Sequence, residues 1–335
     1  MDLTLTEDQQ LVQTTAREFL AGRSDAPGLW KEMVELGWPG LAVPESHGGV
    51  GAGFLDACLV AEELGRAGAA TPYVATVAGA ATIARFGSER QRREWLPAVV
   101  GGRAISYLPA GPGTDLAGDG SVLNGRALFV PFAQEAADLL VGPAAALVDG
   151  GTPGISRERL DVVGNEPVYA VTFDAVEVPA ERVLPDGESA VDAMTAYATV
   201  LTCAEMVGGA QAVLDLTVDY AGQRRQFGQP IGAFQAVQHH CANMAIDVLG
   251  SRFATYEAAW RLGTGADAAM EVGTAKAVVS EAYQRVCALG HQVHGAIGFT
   301  AEHDLHHYLR HATAAALTYG DADHHLGQLA TRLGL

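Results

Sequence analysis

From Thr6 to about Gly102 apolar residues recur at helical spacing. Thr6-Glu-Asp-Gln opens this run as an N-cap followed by early acids, and Leu11, Val12, Phe19 and Leu20 continue the apolar face. Glycine-rich breaks divide the region into several helices, the longest being Val43-Pro-Glu-Ser-His-Gly-Gly-Val-Gly, and the helical period resumes from Phe54 to Gly65. Between about Ala104 and Gly187 the pattern changes to short runs such as Ala127-Leu-Phe-Val, Leu139-Leu-Val and Ala170-Val-Thr-Phe, separated by Gly, Pro and Asp, which read as strands. After Glu188 the spacing predicts long helices at about 189–223, 233–263 and 266–291, then shorter ones at 302–317 and 321–334. Long helices with short connections favour an antiparallel bundle. The expected fold is mainly α with a β insert: a helical domain over 1–103, a small β domain over 104–187 and a helical bundle over 188–335.

Composition sharpens this picture. A chain of 335 residues with 49% hydrophobic and 18% charged residues holds enough apolar material for more than one buried core and for large subunit contacts, so an oligomer is expected. The formal charge of −18 argues against a nucleic-acid surface, and the densest basic cluster is only Arg90, Arg92 and Arg93. An anionic ligand must therefore be held by a few placed cations. Cys58, Cys203, Cys241 and Cys287 are far apart, without CxxC spacing and within apolar helical patterns, so they read as buried thiols of a reducing compartment. The first residues lack the basic start and apolar run of a signal peptide, and no 18-residue stretch lacks charges or helix breakers. A cytoplasmic protein without membrane insertion is expected.

Two segments carry candidate chemistry. Arg224-Arg-Gln-Phe-Gly-Gln-Pro-Ile-Gly-Ala-Phe-Gln235 joins two predicted long helices. A guanidinium fork at a helix end suits a diphosphate, Phe227 offers a stacking face, and Gln235 adds amide donors at a helix start where backbone N–H groups favour anions. The same segment also reads as a solvated basic helix end. In Gln292-Val-His-Gly-Ala-Ile-Gly-Phe-Thr-Ala-Glu-His, Gly295 and Gly298 allow close backbone approach to a ligand and Gln292 can bond to it, although a tight inter-helix turn has the same glycines.

Together with the helix, strand, helix order, these segments resemble the acyl-CoA dehydrogenase family. The resemblance runs along most of the chain, through Leu5-Thr-Glu-Asp-Gln, Leu36-Gly-Trp-Pro-Gly-Leu-Ala-Val-Pro-Glu-Ser-His-Gly-Gly, Phe86-Gly-Ser-Glu-Arg-Gln with Trp95-Leu-Pro, and Val171-Thr-Phe-Asp-Ala-Val-Glu-Val-Pro-Ala-Glu. It implies a small middle β-barrel domain, a C-terminal four-helix bundle, and FAD lying across a subunit interface to oxidise the Cα–Cβ bond of an acyl thioester such as an acyl-CoA. The protein would orient the substrate, polarise its carbonyl and supply a base for the α-proton. In the family one subunit lends an Arg, a Phe and glutamines to the diphosphate and adenosine end of the cofactor. The matching positions here are Arg224, Phe227, Gln235, Gln292 and Gly295.

The chain departs from the family where a subunit grips its own flavin ring. The β-domain positions read Ser106-Tyr-Leu-Pro-Ala-Gly-Pro-Gly-Thr and Leu128-Phe-Val-Pro-Phe-Ala, with Pro131 and Phe132 where hydroxyl or amide donors are expected. In Thr318-Tyr-Gly-Asp-Ala-Asp-His-His, Gly320 stands at the position of the common catalytic Glu and Ala322 at that of a flavin-bonding Thr. The alternative family location for the base, on the first bundle helix, reads Ala196-Tyr-Ala-Thr-Val-Leu-Thr and has no carboxylate, and Glu205 lies about two turns further on. Asp321 is the candidate substitute base, because burial can raise an Asp pKa, but it also reads as a helix N-cap.

Of the 11 histidines, His303, His307 and His311 share a helix face at metal-ligand spacing. The family needs no metal and no acidic third ligand is evident, so a polar interface is expected instead. Three functions are compatible with these residues: a partner subunit completing the FAD site of a longer homologous chain in a hetero-oligomer, a self-sufficient homo-oligomeric dehydrogenase using Asp321, and a repurposed member that binds a thioester or polyketide-like ligand without redox chemistry.

Overall fold

The computed structural model describes residues 4–24, 27–110, 113–117, 121–300 and 302–335. The N-terminal region holds α1 (Glu7–Leu20), α2 (Leu29–Glu35), α3 (Phe54–Ala67), α4 (Tyr73–Phe86) and α5 (Glu89–Val100). Thr6 caps α1 as its sequence predicts: its hydroxyl accepts from Gln9 N at 3.2 Å, and its own N–H donates to the Gln9 side chain at 3.0 Å. Ser88 and Gln91 repeat the device at α5. The Gln91 amide also donates to the carbonyls of Glu181 and Val183, at 2.9 and 2.8 Å, tying that helix start to the end of the β domain.

The β domain comprises β1 (Ile105–Leu108), β2 (Thr114–Ala117), β3 (Val122–Pro131), β4 (Asp138–Val141), β5 (Ala146–Asp149), β6 (Ile155–Leu160) and β7 (Val168–Glu177). One sheet has the order β1-β4-β5, with β1 parallel to β4, and the other has the order β2-β3-β7-β6. Both sheets contribute to one core, in which Leu108, Leu139 and Val148 meet Leu123, Val171 and Phe173. The register of β3 against β7 shifts between Ala127 and Val130, and this bulge turns Phe129 out to solvent with φ of 60°.

The C-terminal region consists of α6 (Gly187–Gln223), α7 (Gln235–Thr264), α8 (Ala269–His294), α9 (Leu305–Leu317) and α10 (Ala322–Leu333). Helix α6 is apolar on nearly every side because it is the central post, touching α3, α4, α7, α8 and α9. Its crossing with α3 depends on two glycines. A Cβ at Gly208 would lie 1.7 Å from the Glu62 carbonyl oxygen, and one at Gly65 would lie 1.9 Å from that of Glu205. Helix α8 runs three residues past the predicted end at 291, which places Gln292 in a helical last turn, and α9 starts at Leu305, later than predicted.

Two buried polar groups hold the bundle together. Glu62 accepts from Arg252 at 3.0 Å and from the Tyr256 hydroxyl at 2.7 Å, joining α3 to α7. Lys276 is fully buried and donates to the carbonyls of Ala315 and Ala316 at 2.6 and 3.1 Å, satisfying the end of α9. Desolvation pushes its ammonium pKa down to about 8. Cys58, Cys203 and Cys287 are buried, Cys241 is partly buried, and all four are free thiols. Among the described residues, no helix is long and apolar enough to cross a membrane.

Candidate functional site

The structure brings the two motif segments to the same end of the bundle. Helix α6 stops at Gln223, and Arg224 leaves in an extended conformation, its N–H donating to the Tyr220 carbonyl at 2.8 Å. A tight hairpin follows, β8 (Arg225–Gln226) paired with β9 (Gln229–Pro230). Its two central residues, Phe227 and Gly228, both have positive φ, 52° and 83°, as a two-residue turn matched to strand twist requires. Such a conformation suits Gly228 but strains Phe227, whose ring is nevertheless 93% exposed and only edge-on to Phe234 at 6.1 Å. Gln235 is the first residue of α7 and is exposed, and Arg224 makes no ion pair among the described residues.

Gln292 is exposed on the last turn of α8, which ends at Gly295. Gly295 has φ of 66° and ψ of −144°, a conformation essentially confined to glycine, and nothing lies within 4 Å of where its Cβ would be. The joint between the segments was not foreseen from their spacing. His294 stacks on Tyr220, with ring centroids 4.4 Å apart and planes 19° from parallel, so the turn before Arg224 rests on the turn before Gly295. The His294 Nδ1 donates to the Gly290 carbonyl at 2.8 Å, which orients the ring. An aromatic residue one turn before the Arg and a His beside the Gly were the available signals.

A nucleotide fits this end of the molecule. An unpaired guanidinium, an open helix start, an exposed ring and an unobstructed glycine backbone all face outward.

The place expected for a flavin ring is different. The Ser106 hydroxyl donates to the Pro131 carbonyl at 2.6 Å, so it is spent within the β domain, and Pro131 has no N–H to offer. Tyr107 reaches Thr195 on α6 at 2.7 Å and packs against Tyr319, centroids 5.9 Å apart. Burial pushes the Tyr107 hydroxyl up to about 12 and that of Tyr319 higher still. Thr114 donates to the Pro109 carbonyl at 2.9 Å, while Gly111 and Pro112 of the same predicted stretch lie outside the described residues. These residues do not fit the polar edge of a flavin.

At the position of the missing carboxylate, Gly320 has φ of 98°, and a Cβ there would sit 2.5 Å from the His324 ring. A side chain cannot be accommodated without moving His324. Asp321 is exposed, and its Oδ1 accepts from His324 N at 2.8 Å as the N-cap of α10. The burial that would tune it as a base is absent. Glu205 is buried on α6 and lines a separate small cavity with Glu166 and His311. The three histidines of α9 and its approach are engaged separately. His303 accepts from Leu305 N at 3.2 Å, His311 meets the Tyr283 hydroxyl at 3.4 Å, and the His307 carbonyl accepts from Asn165 at 2.9 Å.

Comparison with known proteins agrees with the mainly helical fold with a small β region in the middle. Residues 6–103 match the family described as Acyl-CoA dehydrogenase, N-terminal domain, and residues 186–334 match Acyl-CoA dehydrogenase, C-terminal domain. The chain is 33% identical to acyl-CoA dehydrogenase FadE27 of Mycobacterium tuberculosis (strain ATCC 25618 / H37Rv), covering 91% of this chain and 87% of that protein. Among solved structures, the Tcur3481-Tcur3483 steroid ACAD (G363A variant) superposes with a TM-score of 0.89 at 29% identity over 99% of both chains. Butyryl-CoA dehydrogenase from Megasphaera elsdenii superposes with a TM-score of 0.90 over 100% of both, at 24% identity, which speaks for the fold. The chain belongs to the acyl-CoA dehydrogenase family, a family of FAD-dependent oxidoreductases.

Proposed function

We propose that this chain is the partner subunit of a heteromeric acyl-CoA dehydrogenase, lending the nucleotide-binding end of an FAD site whose flavin-ring contacts and catalytic base stand on a homologous chain. One asymmetry carries the reading. Arg224, Phe227, Gln235, Gln292 and Gly295 are all present and exposed, whereas among the described residues Gly320 offers no carboxylate, Pro131 no N–H, and the Ser106 hydroxyl is spent.

Arg224 would hold the diphosphate by its guanidinium fork, Phe227 would cover an aromatic face, and Gln235 and Gln292 would bond the polar edges of the nucleotide. The backbone at Gly295 would allow close approach. When bound, FAD supplies the acceptor for the hydride leaving the acyl Cβ. This chain's contribution is placement of the cofactor, and the α-proton is removed by the partner's base. The paired name of the solved relative Tcur3481-Tcur3483 supports a reading with two components.

The test is purification of the chain alone and together with a longer homologue. The chain alone is expected to hold substoichiometric flavin by absorbance and to lack acyl-thioester dehydrogenation, and the mixture to gain both. Stoichiometric FAD with turnover by the isolated chain would overturn the proposal.

A further inference from the structure

The turn between β6 and β7 reaches across to the helical bundle. Gly164 packs on Ala314, the Asn165 side chain donates to the His307 carbonyl at 2.9 Å, and Arg310 donates to the Val163 carbonyl at 2.8 Å. Behind these contacts lies a cavity of about 30 Å³, enough room for a water molecule. Its walls include Leu64, Gly65, Ala69, Glu166, Glu205 and His311. Glu205 is 6% exposed, and neither its carboxyl nor that of Glu166 has a hydrogen-bond or ion-pair partner among the described residues. Two acids of like charge thus line one small, mostly apolar and partly open space. Ionised, they would repel each other without any compensating cation, and burial makes that arrangement costly. Protonated, each becomes a donor as well as an acceptor, able to satisfy a water between them.

We propose that Glu166 and Glu205 form a proton-sharing site that holds one water molecule and latches the β6–β7 turn onto the helical bundle. The electrostatics agree with the geometry. Desolvation pushes the Glu166 carboxyl up to about 7 although that residue keeps some solvent contact, and Glu205 is held well above the usual carboxylate range by burial and by Glu166.

The other titratable groups around the site act differently. From α9, His307 and Tyr308 line the cavity with His311, and Tyr308 donates to the Arg66 carbonyl at the end of α3. The Arg66 guanidinium is paired with Asp215 at 2.6 Å. The phenols of Tyr73, Tyr283 and Tyr319, from the neighbouring elements, are all raised by burial and stay neutral. His311 is pushed down to about 4 by burial, so it costs stability as pH falls through about 6.5, and its contribution to the slope fades within about a unit above that.

A carboxyl whose pKa rises on folding is protonated in the native chain and ionised in the unfolded one. Its stabilisation is complete below about pH 4.3 and is lost as pH climbs through the folded value. In the window from about pH 6.5 to about pH 8 a variant lacking both carboxyls keeps the titrations of His311 and Lys276, so the difference between wild type and variant isolates the latch.

The experiment uses the full chain, wild type and the Glu166→Gln/Glu205→Gln double variant, whose amides mimic the neutral acids. The wild-type Tm is expected to fall across the window, and the fall in the double variant to be at most half as large. Amide hydrogen exchange at residues 163–166, corrected for intrinsic pH dependence, should accelerate several-fold in the wild type and not in the variant. The wild type alone gives a third readout: a carboxylic-acid infrared band present near the lower pH and lost near the upper. Parallel Tm profiles, pH-independent exchange at the turn, or absence of that band would each overturn the latch.

Discussion

Tyr220 and His294 stack at 4.4 Å, and through this contact two segments separated by some seventy residues become one surface. The rings sit one helical turn from Arg224 and directly beside Gly295, so they fix the relative position of groups that must act on a single ligand. A stacked aromatic pair contributes about 0.5–1.5 kcal/mol beyond its buried area. Tyr220→Leu should therefore cost the fold only modestly. Under the proposed function it should weaken flavin retention in the reconstituted heteromer by about tenfold, measured by dilution and flavin fluorescence. Unchanged retention would show that the stack is only a packing contact.

Phe227 presents a different bargain between conformation and role. Its φ of 52° is strained for a bulky residue, and at 93% exposure its ring gains little from burial in the isolated chain. Phe227→Asn is expected to raise the stability of the chain by up to about 1 kcal/mol, since Asn tolerates the left-handed region. The same change should reduce flavin binding with the partner. Chemical unfolding of the free chain and flavin titration of the complex check the two halves independently.

Asp321 separates capping from catalysis. Its side chain accepts from His324 N, and Asn caps about as well as Asp, so Asp321→Asn should leave the thermal midpoint nearly unchanged while Asp321→Ala costs about 1 kcal/mol. If the residue were the base of a self-sufficient enzyme, Asp321→Asn would abolish turnover with flavin content intact. The proposed function requires that turnover of the reconstituted heteromer survive this variant. A loss of turnover with bound flavin would favour the self-sufficient reading.

The Glu62, Arg252 and Tyr256 group is the costliest to break. Arg252→Met would leave Glu62, whose pKa is already raised by burial, without its cation inside the bundle. Removal of one partner from a buried pair destabilises by about 3–5 kcal/mol. Tyr256→Phe removes only one donor and should cost about 1–3 kcal/mol. Denaturant melts of the two variants should rank in that order.

Lys276 tests how α9 is terminated. Lys276→Met would strip the donors from the Ala315 and Ala316 carbonyls, leaving buried acceptors unmet at about 1–3 kcal/mol. Hydrogen exchange should show the loosening concentrated near the junction of α9 and α10. A uniform effect across the bundle would contradict this account.

The chain itself determined the order of helices and strands, the caps at Thr6 and Ser88, and the absence of a carboxylate at Gly320, because each depends on residues within a turn or two of one another. Periodicity even located the long bundle helices to within about three residues, as end fraying allows. What only the tertiary structure decided involves partners distant in sequence. The stacking of Tyr220 on His294, the close crossing at Gly65 and Gly208, the spending of Ser106 on Pro131, and the meeting of Glu166 with Glu205 in one cavity all arise from how helices and sheets pack. Local patterns specify which face of an element is apolar, but not which residue on another element will fill it. For that reason Glu205, about two turns beyond the stretch read for an alternative base, comes to line one cavity with Glu166 only when the β insert folds against the bundle.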